Sequence, residues 1–250
     1  MSTPSVTSLW SAAAQPVTPA TYGPEATAGL SGPVKRYFDH ALKAGAPVAR
    51  RAKLSMRGKI LSNGAWTSFK AEEVISPQQG FVWEVKMGPW PSLVRGADYY
   101  LGGSGGQDIK RLFGQTLLRS EGQDATRSAA ARAAIEGVLA PSALLPCCFG
   151  VAWTAVSEET LAAHWVLDNL IIELILGIGP DGALKSARLQ RWGNPAGAGY
   201  GFHPFGLAAD AEKTFGKVTI PSHIRAGWLD AKSGLGDGIF EAEITGADYR

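Results

Sequence analysis

The sequence predicts a mainly β protein of the α+β kind, built as a strongly curved antiparallel sheet or open half-barrel covered by helices, with an apolar cavity. Three observations lead there. Short segments that alternate apolar and polar residues recur along most of the chain, separated by turn residues. Gly 31 and Pro 15 in 250 residues supply those turns. Two stretches only carry a sustained helical period. Hydrophobic residues at 45% against 18% charged suit a chain with a sizeable packed core. All-β domains commonly reach this length undivided, so the organisation read here is a flexible N-terminal arm, residues 1–30, followed by one ligand-binding domain, residues 31–250.

Residues 1–30 are rich in Ser, Thr, Ala and Pro without a period. Trp10 is the exception, a ring able to pack on the domain or on a second subunit, so a homodimer is compatible with the sequence. SGPVKRYFDHALKAG at 31–45 is the first helix: Ser31 offers an N-cap, Pro33 suits the first turn, and Val34, Tyr37, Phe38, Ala41 and Leu42 share a stripe. Residues 50–79 read as two strands around Asn63-Gly64, a pair that favours a tight hairpin. A third strand at 80–87 places Phe81, Trp83, Val85 and Met87 on one face.

A Pro-Trp-Pro bend at 89–91 leads to a strand at 93–101 that carries Asp98, Tyr99 and Tyr100. The glycine-rich run 102–106 lacks the Lys-Ser or Lys-Thr of a phosphate loop and is followed by a strand, so it reads as a hairpin turn. A strand pair follows at 109–120. DATRSAAARAAIEGVL at 124–139 is the second helix, alanine-rich with an acidic start. After a proline-bounded turn at 141–146, strands resume at 151–156. The most apolar stretch, 161–192, reads as two strands joined by Gly179-Pro180-Asp181-Gly182, the first interrupted by His164, Asp168 and Glu173. Residues 193–206 read as a loop of glycines and aromatics, and three strands at 212–220, 223–229 and 238–245 close the chain. The count is ten or eleven strands.

The order of these segments resembles a group of uncharacterised bacterial proteins. VKRYFDHAL, WTSFKAEEV, GFVWEVKM, then the alanine-rich helix, APSALLP and VAW carry the resemblance, which spans about residues 33–228. It implies a fold and brings no catalytic residue with it. More loosely, the strand and helix order looks like the LolA/LolB-like half-barrel of bacterial lipoprotein carriers and of related small cofactor-free biosynthetic enzymes, which implies an apolar ligand held beneath helices.

Four residues are candidates for acid–base or charge-stabilising work. Glu173 shares a strand face with Ile171 and Ile175, where burial would raise its pKa; a structural pair with Arg188, on the returning strand, or an outward-facing side chain at a strand edge is the alternative. His203 lies among glycines and aromatics, where loops commonly carry function; the alternative is an aromatic plug. Asp98 completes the set. Phe81, Trp83, Met87, Tyr99, Tyr100, His164, Trp165, Trp192, Tyr200 and Phe202 are the candidate ligand-binding residues, able to wall a site for an apolar ligand or simply to fill a core. The chemistry this suggests is a cofactor-independent cyclisation, isomerisation or elimination in a biosynthetic pathway, with a non-catalytic carrier or sensor of a hydrophobic ligand as the alternative.

Composition argues against other classes. The formal charge of +2 is well mixed, with no basic stripe for nucleic acid. The four histidines are isolated and no metal-ligand spacing occurs, so neither metal nor cofactor is implied. No stretch reads as a membrane span. Cys147 and Cys148 are adjacent and read as reduced, buried packing residues, which with the absence of a signal-peptide pattern suggests a cytoplasmic protein.

Overall fold

The computed structural model describes residues 3–13, 17–62, 64–88, 93–111, 114–195, 197, 199–229, 235 and 239–250. The Asn63 half of the first hairpin turn, the Pro-Trp-Pro bend and the predicted strand start at Gly238 lie outside the described residues. Six strands form a first meander: β1 (Ala52–Ser62), β2 (Ala65–Ser76), β3 (Gly80–Met87), β4 (Val94–Leu101), β5 (Ser104–Arg111) and β6 (Thr116–Ser120). Seven form a second: β7 (Ala152–Ala155), β8 (Thr160–Leu167), β9 (Leu170–Ile178), β10 (Leu184–Gly193), β11 (Gly201–Phe215), β12 (Val218–Trp228) and β13 (Phe240–Tyr249). The first and last strands pair antiparallel, so both meanders join in one sheet ordered β6-β5-β4-β3-β2-β1-β13-β12-β11-β10-β9-β8-β7.

That sheet is curled into a half-barrel. The Tyr100 hydroxyl near the end of β4 donates to Asp168 Oδ2, in the turn between β8 and β9, over 2.6 Å. In a flat sheet at about 4.8 Å per strand, those elements would stand about 40 Å apart. A twist of about 20–25° per strand also accumulates to roughly half a turn over this distance, which brings opposite ends of the two wings together. Alternation decides what faces inward. Leu54, Met56, Phe69, Ala71, Ile75, Phe81 and Trp83 on one wing, and Leu174, Leu176, Leu189, Phe205 and Leu207 on the other, are buried in one continuous core.

The connection from one sheet edge to the other runs through that core. It comprises α3 (Gln123–Glu136), two 3-10 turns at Gly137–Leu139 and Pro141–Leu144, and the short helix α4 (Pro146–Phe149). Helix α3 packs on β10 and β9 of one wing and on β5 and β4 of the other. Gly105 makes the close approach on β5 feasible, since a Cβ there would stand 2.7 Å from the Ala129 Cβ. Helix α2 (Gly32–Ala41) lies by β12 and β7 with Val34, Tyr37 and Phe38 buried. Residues 3–13 carry α1 (Val6–Ser11), whose Val6 and Leu9 pack on Val74 and Val82 of the opposite sheet face. The described part of the N-terminal segment is thus docked.

Five sequence expectations are corrected. The apolar run before Gly179 is two strands, because Asp168 adopts φ 53° and with Asn169 makes a tight turn inside it. The glycine-rich turn narrows to Gly102-Gly103, while Ser104–Gly106 already belong to β5. The aromatic loop shrinks likewise, since Phe202 and His203 belong to β11. That strand runs on to Phe215 and turns at Gly216 (φ 63°), so the predicted break near Pro221 lies within β12. Cys147 is exposed, and its Sγ stands 2.9 Å from that of half-buried Cys148. Burial and the neighbouring sulfur push the Cys148 thiol up to about 12.

Candidate functional site

The interior holds charge where the sequence promises an apolar cavity. Arg132 of α3 is largely buried and reaches three carboxylates. It donates through Nη2 to Glu73 of β2 (3.2 Å), through Nη1 to Asp98 of β4, and through Nε to Glu136 one turn along its own helix (2.8 Å). Its guanidinium also lies over the rings of Phe81 at 4.6 Å and Trp83 at 5.0 Å. Asp98 accepts a further bond from Gln107 Nε2 at 3.1 Å. Burial, followed by the neighbouring Glu136 carboxylate, holds the Glu73 carboxyl well above the usual range. Two carboxyl groups in contact at this depth do not both ionise. Glu136 Oε2 is buried without a hydrogen-bond partner among the described residues.

Arg191 of β10 faces the same cluster. Its Nε donates to Ser128 Oγ of α3 at 3.2 Å, and its guanidinium lies over Phe205 at 4.6 Å and Trp228 at 5.5 Å. No carboxylate forms an ion pair with it among the described residues. Burial pushes its pKa down to about 10, helped by the Arg132 charge and opposed by Asp98 and Glu136.

A cleft of about 220 Å³ opens beside Arg191, bordered by Asp98, Gln107, Asn194, Tyr200, Trp228 and the start of α3. Gly193 sets one wall, because a Cβ there would meet the Trp228 ring at 2.4 Å. The rim is aromatic. Trp192 stacks on Tyr200 at 6.4 Å, meets Phe202 edge-on at 5.1 Å, donates from Nε1 to Asp124 at 2.7 Å, and lies beneath the Arg127 guanidinium. Tyr200 and Phe202 are exposed. A larger space of about 1080 Å³ lies on the outward face of the first wing, among Arg57, Lys70, Glu72, Glu84 and Lys86.

Inside the curl, α3 and the 3-10 turns that follow pack against both wings, and no open apolar cavity is seen there among the described residues. The predicted catalytic four are also dispersed. Glu173 is exposed and faces His164 directly across the β8–β9 ladder, with 3.3 Å between His164 Nε2 and the carboxylate. Arg188 is exposed on β10 and pairs in register with Ile175. His203 stands edge-on to Trp228 at 6.2 Å and is paired in register with Arg191. Asp98 alone reaches the buried cluster.

Among the predicted ligand-binding residues, Phe81 and Trp83 stand under Arg132, while Met87 is half-buried at the margin of the core. Tyr200 borders the cleft, and Trp192 packs on Tyr200 and Phe202. Tyr99 points to the other face and packs with α1. Tyr100 is the latch to Asp168, and the buried Trp165 donates to the Pro77 carbonyl at 3.1 Å. His164 belongs with Glu173 on the outer face.

Residues 28–249 match a family of unknown function, DUF6920. The chain belongs to that family. No curated protein matches it. Similar solved structures include a domain from Vibrio parahaemolyticus named for outer membrane lipoprotein sorting (6% identity, TM-score 0.46, covering 87% of this chain and 91% of that one). A DUF1329 family protein from Desulfovibrio piger gives 8% identity and TM-score 0.45, covering 88% and 94%. A LolA superfamily protein from Nitrosomonas europaea gives 9% and 0.45, covering 87% and 92%.

Sequence reasoning missed Arg132, Arg191, Glu73, Glu136 and Trp228. A signal existed for two of them. In WTSFKAEEVIS the period of two puts Glu73 on the face of Phe69, Ala71 and Ile75, as surely as it put Trp83 there. Arg132 is the one basic residue in the last nine positions of the alanine-rich helix α3, and such a helix has to lie against something.

Proposed function

We propose that this protein is a non-catalytic carrier or sensor that takes up a hydrophobic small molecule between its curled sheet and helix α3. The observation that carries the reading is the mismatch between wall and lid. The wall is aromatic and aliphatic: Phe69, Phe81, Trp83, Phe205 and Trp228 with the leucines around them. The lid presents Ala129, Ala130, Ala131, Ala133, Ala134 and Ile135 as its buried residues. At about 0.8 kcal/mol per buried carbon group, the five alanines contribute about 4 kcal/mol, where five leucines would contribute roughly 7–15 kcal/mol. The helix is fastened to the sheet by polar contacts of Arg132, Ser128, Thr126 and Asp124, and Leu139, Leu144 and Leu145 anchor the chain beyond it. A ligand that slid under α3 would replace weak contacts with its own apolar surface, opening the cavity that the resting structure keeps closed.

The dispersal of Glu173, Arg188 and His203 weighs against the acid–base reading, because proton transfer needs groups within hydrogen-bond reach of one substrate. The test is native mass spectrometry of protein purified from its own host, together with saturable uptake of a fluorescent apolar probe such as N-phenyl-1-naphthylamine. A released apolar compound, or probe uptake that the compound competes away, is the expected result. Empty protein that takes up no probe would overturn the reading.

A further inference from the structure

The Arg191 cleft suggests which end of such a ligand enters first. Of the two arginines packed on α3, Arg132 has three carboxylate partners. Arg191 is half-buried, borders the cleft and forms no ion pair with a carboxylate among the described residues. Its Nε is held by Ser128 and its planar faces by Phe205 and Trp228, which orient the guanidinium as a fixed fork beside the cleft. Its Nη1 and Nη2 have no hydrogen-bond partner among the described residues.

The other groups around the cleft leave this position to an anion. Asp98 is engaged by Arg132 and Gln107, and Asp124 accepts from Trp192 at the start of α3, where a negative charge is favourable. Both carboxylates are thus supplied with donors. A cationic ligand would meet Arg191 and, behind it, Arg132. The volume, about 220 Å³, falls below the roughly 300–1,000 Å³ of a pocket that encloses a whole drug-sized ligand. It fits the end of a molecule whose remainder lies elsewhere, and Trp228 and Phe205 lead from the cleft toward the aromatic wall.

We infer that the ligand is an amphipathic monocarboxylate whose carboxylate pairs with Arg191 in this cleft, while its apolar tail passes Trp228 toward the wall beneath α3. This rests on the carrier reading and specifies its ligand class. The fork geometry matches a planar carboxylate, with both outer nitrogens donating.

The experiment is calorimetric titration of the full chain with octanoate, octanol, octyl phosphate and acetate. Octanoate is expected to bind at least tenfold more tightly than octanol, with acetate too weak to measure and octyl phosphate below octanoate. In Arg191→Gln the advantage of octanoate over octanol should disappear, while octanol itself binds as before. The octanoate–octanol comparison in the unaltered protein needs no variant and stands even if Arg191→Gln does not fold. Octanol binding as well as octanoate would overturn the carboxylate inference and leave the carrier reading intact. Octyl phosphate binding more tightly than octanoate would overturn the carboxylate assignment in favour of a phosphate ester. Failure of every ligand, with no uptake of N-phenyl-1-naphthylamine, would overturn both readings.

Discussion

Two ionic clusters in this protein use the same residue types and behave differently. In the interior, Arg132 holds Glu73, Asp98 and Glu136 against Phe81 and Trp83. On the outer face, Arg225 makes a two-point contact with Asp210 (Nε to Oδ2 2.7 Å, Nη2 to Oδ1 2.9 Å). His223 bridges from Asp210 to Glu241, which also pairs with Lys59 at 2.9 Å. Outside, hydrogen bonds and cations hold the Asp210 and Glu241 carboxyls below the usual range. Inside, loss of hydration dominates, and Glu73 is driven the other way despite its arginine. The solvent, more than the partner, decides what a carboxylate beside an arginine becomes.

Removing the central cation separates the two clusters most sharply. Arg132→Met keeps the apolar stem but leaves Asp98 and Glu136 buried with their main partner gone, so we expect a loss of about 3–5 kcal/mol in urea denaturation. A loss below about 1 kcal/mol would mean that the inner cluster is as hydrated as the outer one. Tyr100→Phe tests a contact of intermediate burial, the latch to Asp168. Hydrogen bonds to charged groups contribute about 1.5–3 kcal/mol, and a loss in that range is expected, with faster hydrogen exchange in the β4–β5 and β8–β9 turns. An unchanged exchange pattern would show that the curl closes without the latch.

Glu73→Gln isolates the pKa effect. The folded protein raises this pKa, so it retains a proton that the unfolded chain gives up from about pH 4.3 upward. The stabilisation is complete below that pH and is lost as pH climbs toward the raised value, by up to about 1.4 kcal/mol per pH unit. Glu73→Gln mimics the protonated form, so its stability should exceed the wild type's increasingly as pH rises from 5 to 8. A parallel pH profile in both proteins would mean that Glu73 is ionised in the fold. The smallest effect is expected from Arg225→Ala. An exposed pair contributes less than about 1 kcal/mol, and raising salt to 1 M should erase the difference in melting temperature. A larger, salt-independent loss would show that the outer face is covered in the working state.

Much of the sheet was legible because alternation is a local property. A strand such as 80–87 shows its inner and outer faces in eight residues, and helix α2 shows its stripe of Val34, Tyr37, Phe38 and Ala41 in ten. Turns within apolar runs were harder to read. Asp168-Asn169 lies between segments that are apolar on both sides, so one strand and a hairpin have almost the same pattern until pairing places His164 opposite Glu173. Once that hairpin exists, the face of Glu173 that looked buried is the solvent face.

By itself the sequence determined that these segments are strands, which residues alternate together, and that an alanine-rich helix separates two runs of them. The tertiary structure alone decided which end of β4 meets the β8–β9 turn, because twist accumulates over eight or nine strands and no short window contains it. It also decided the site. Arg132, Glu73, Asp98 and Arg191 come from a helix and three strands spread over more than a hundred residues, and no short window brings them together.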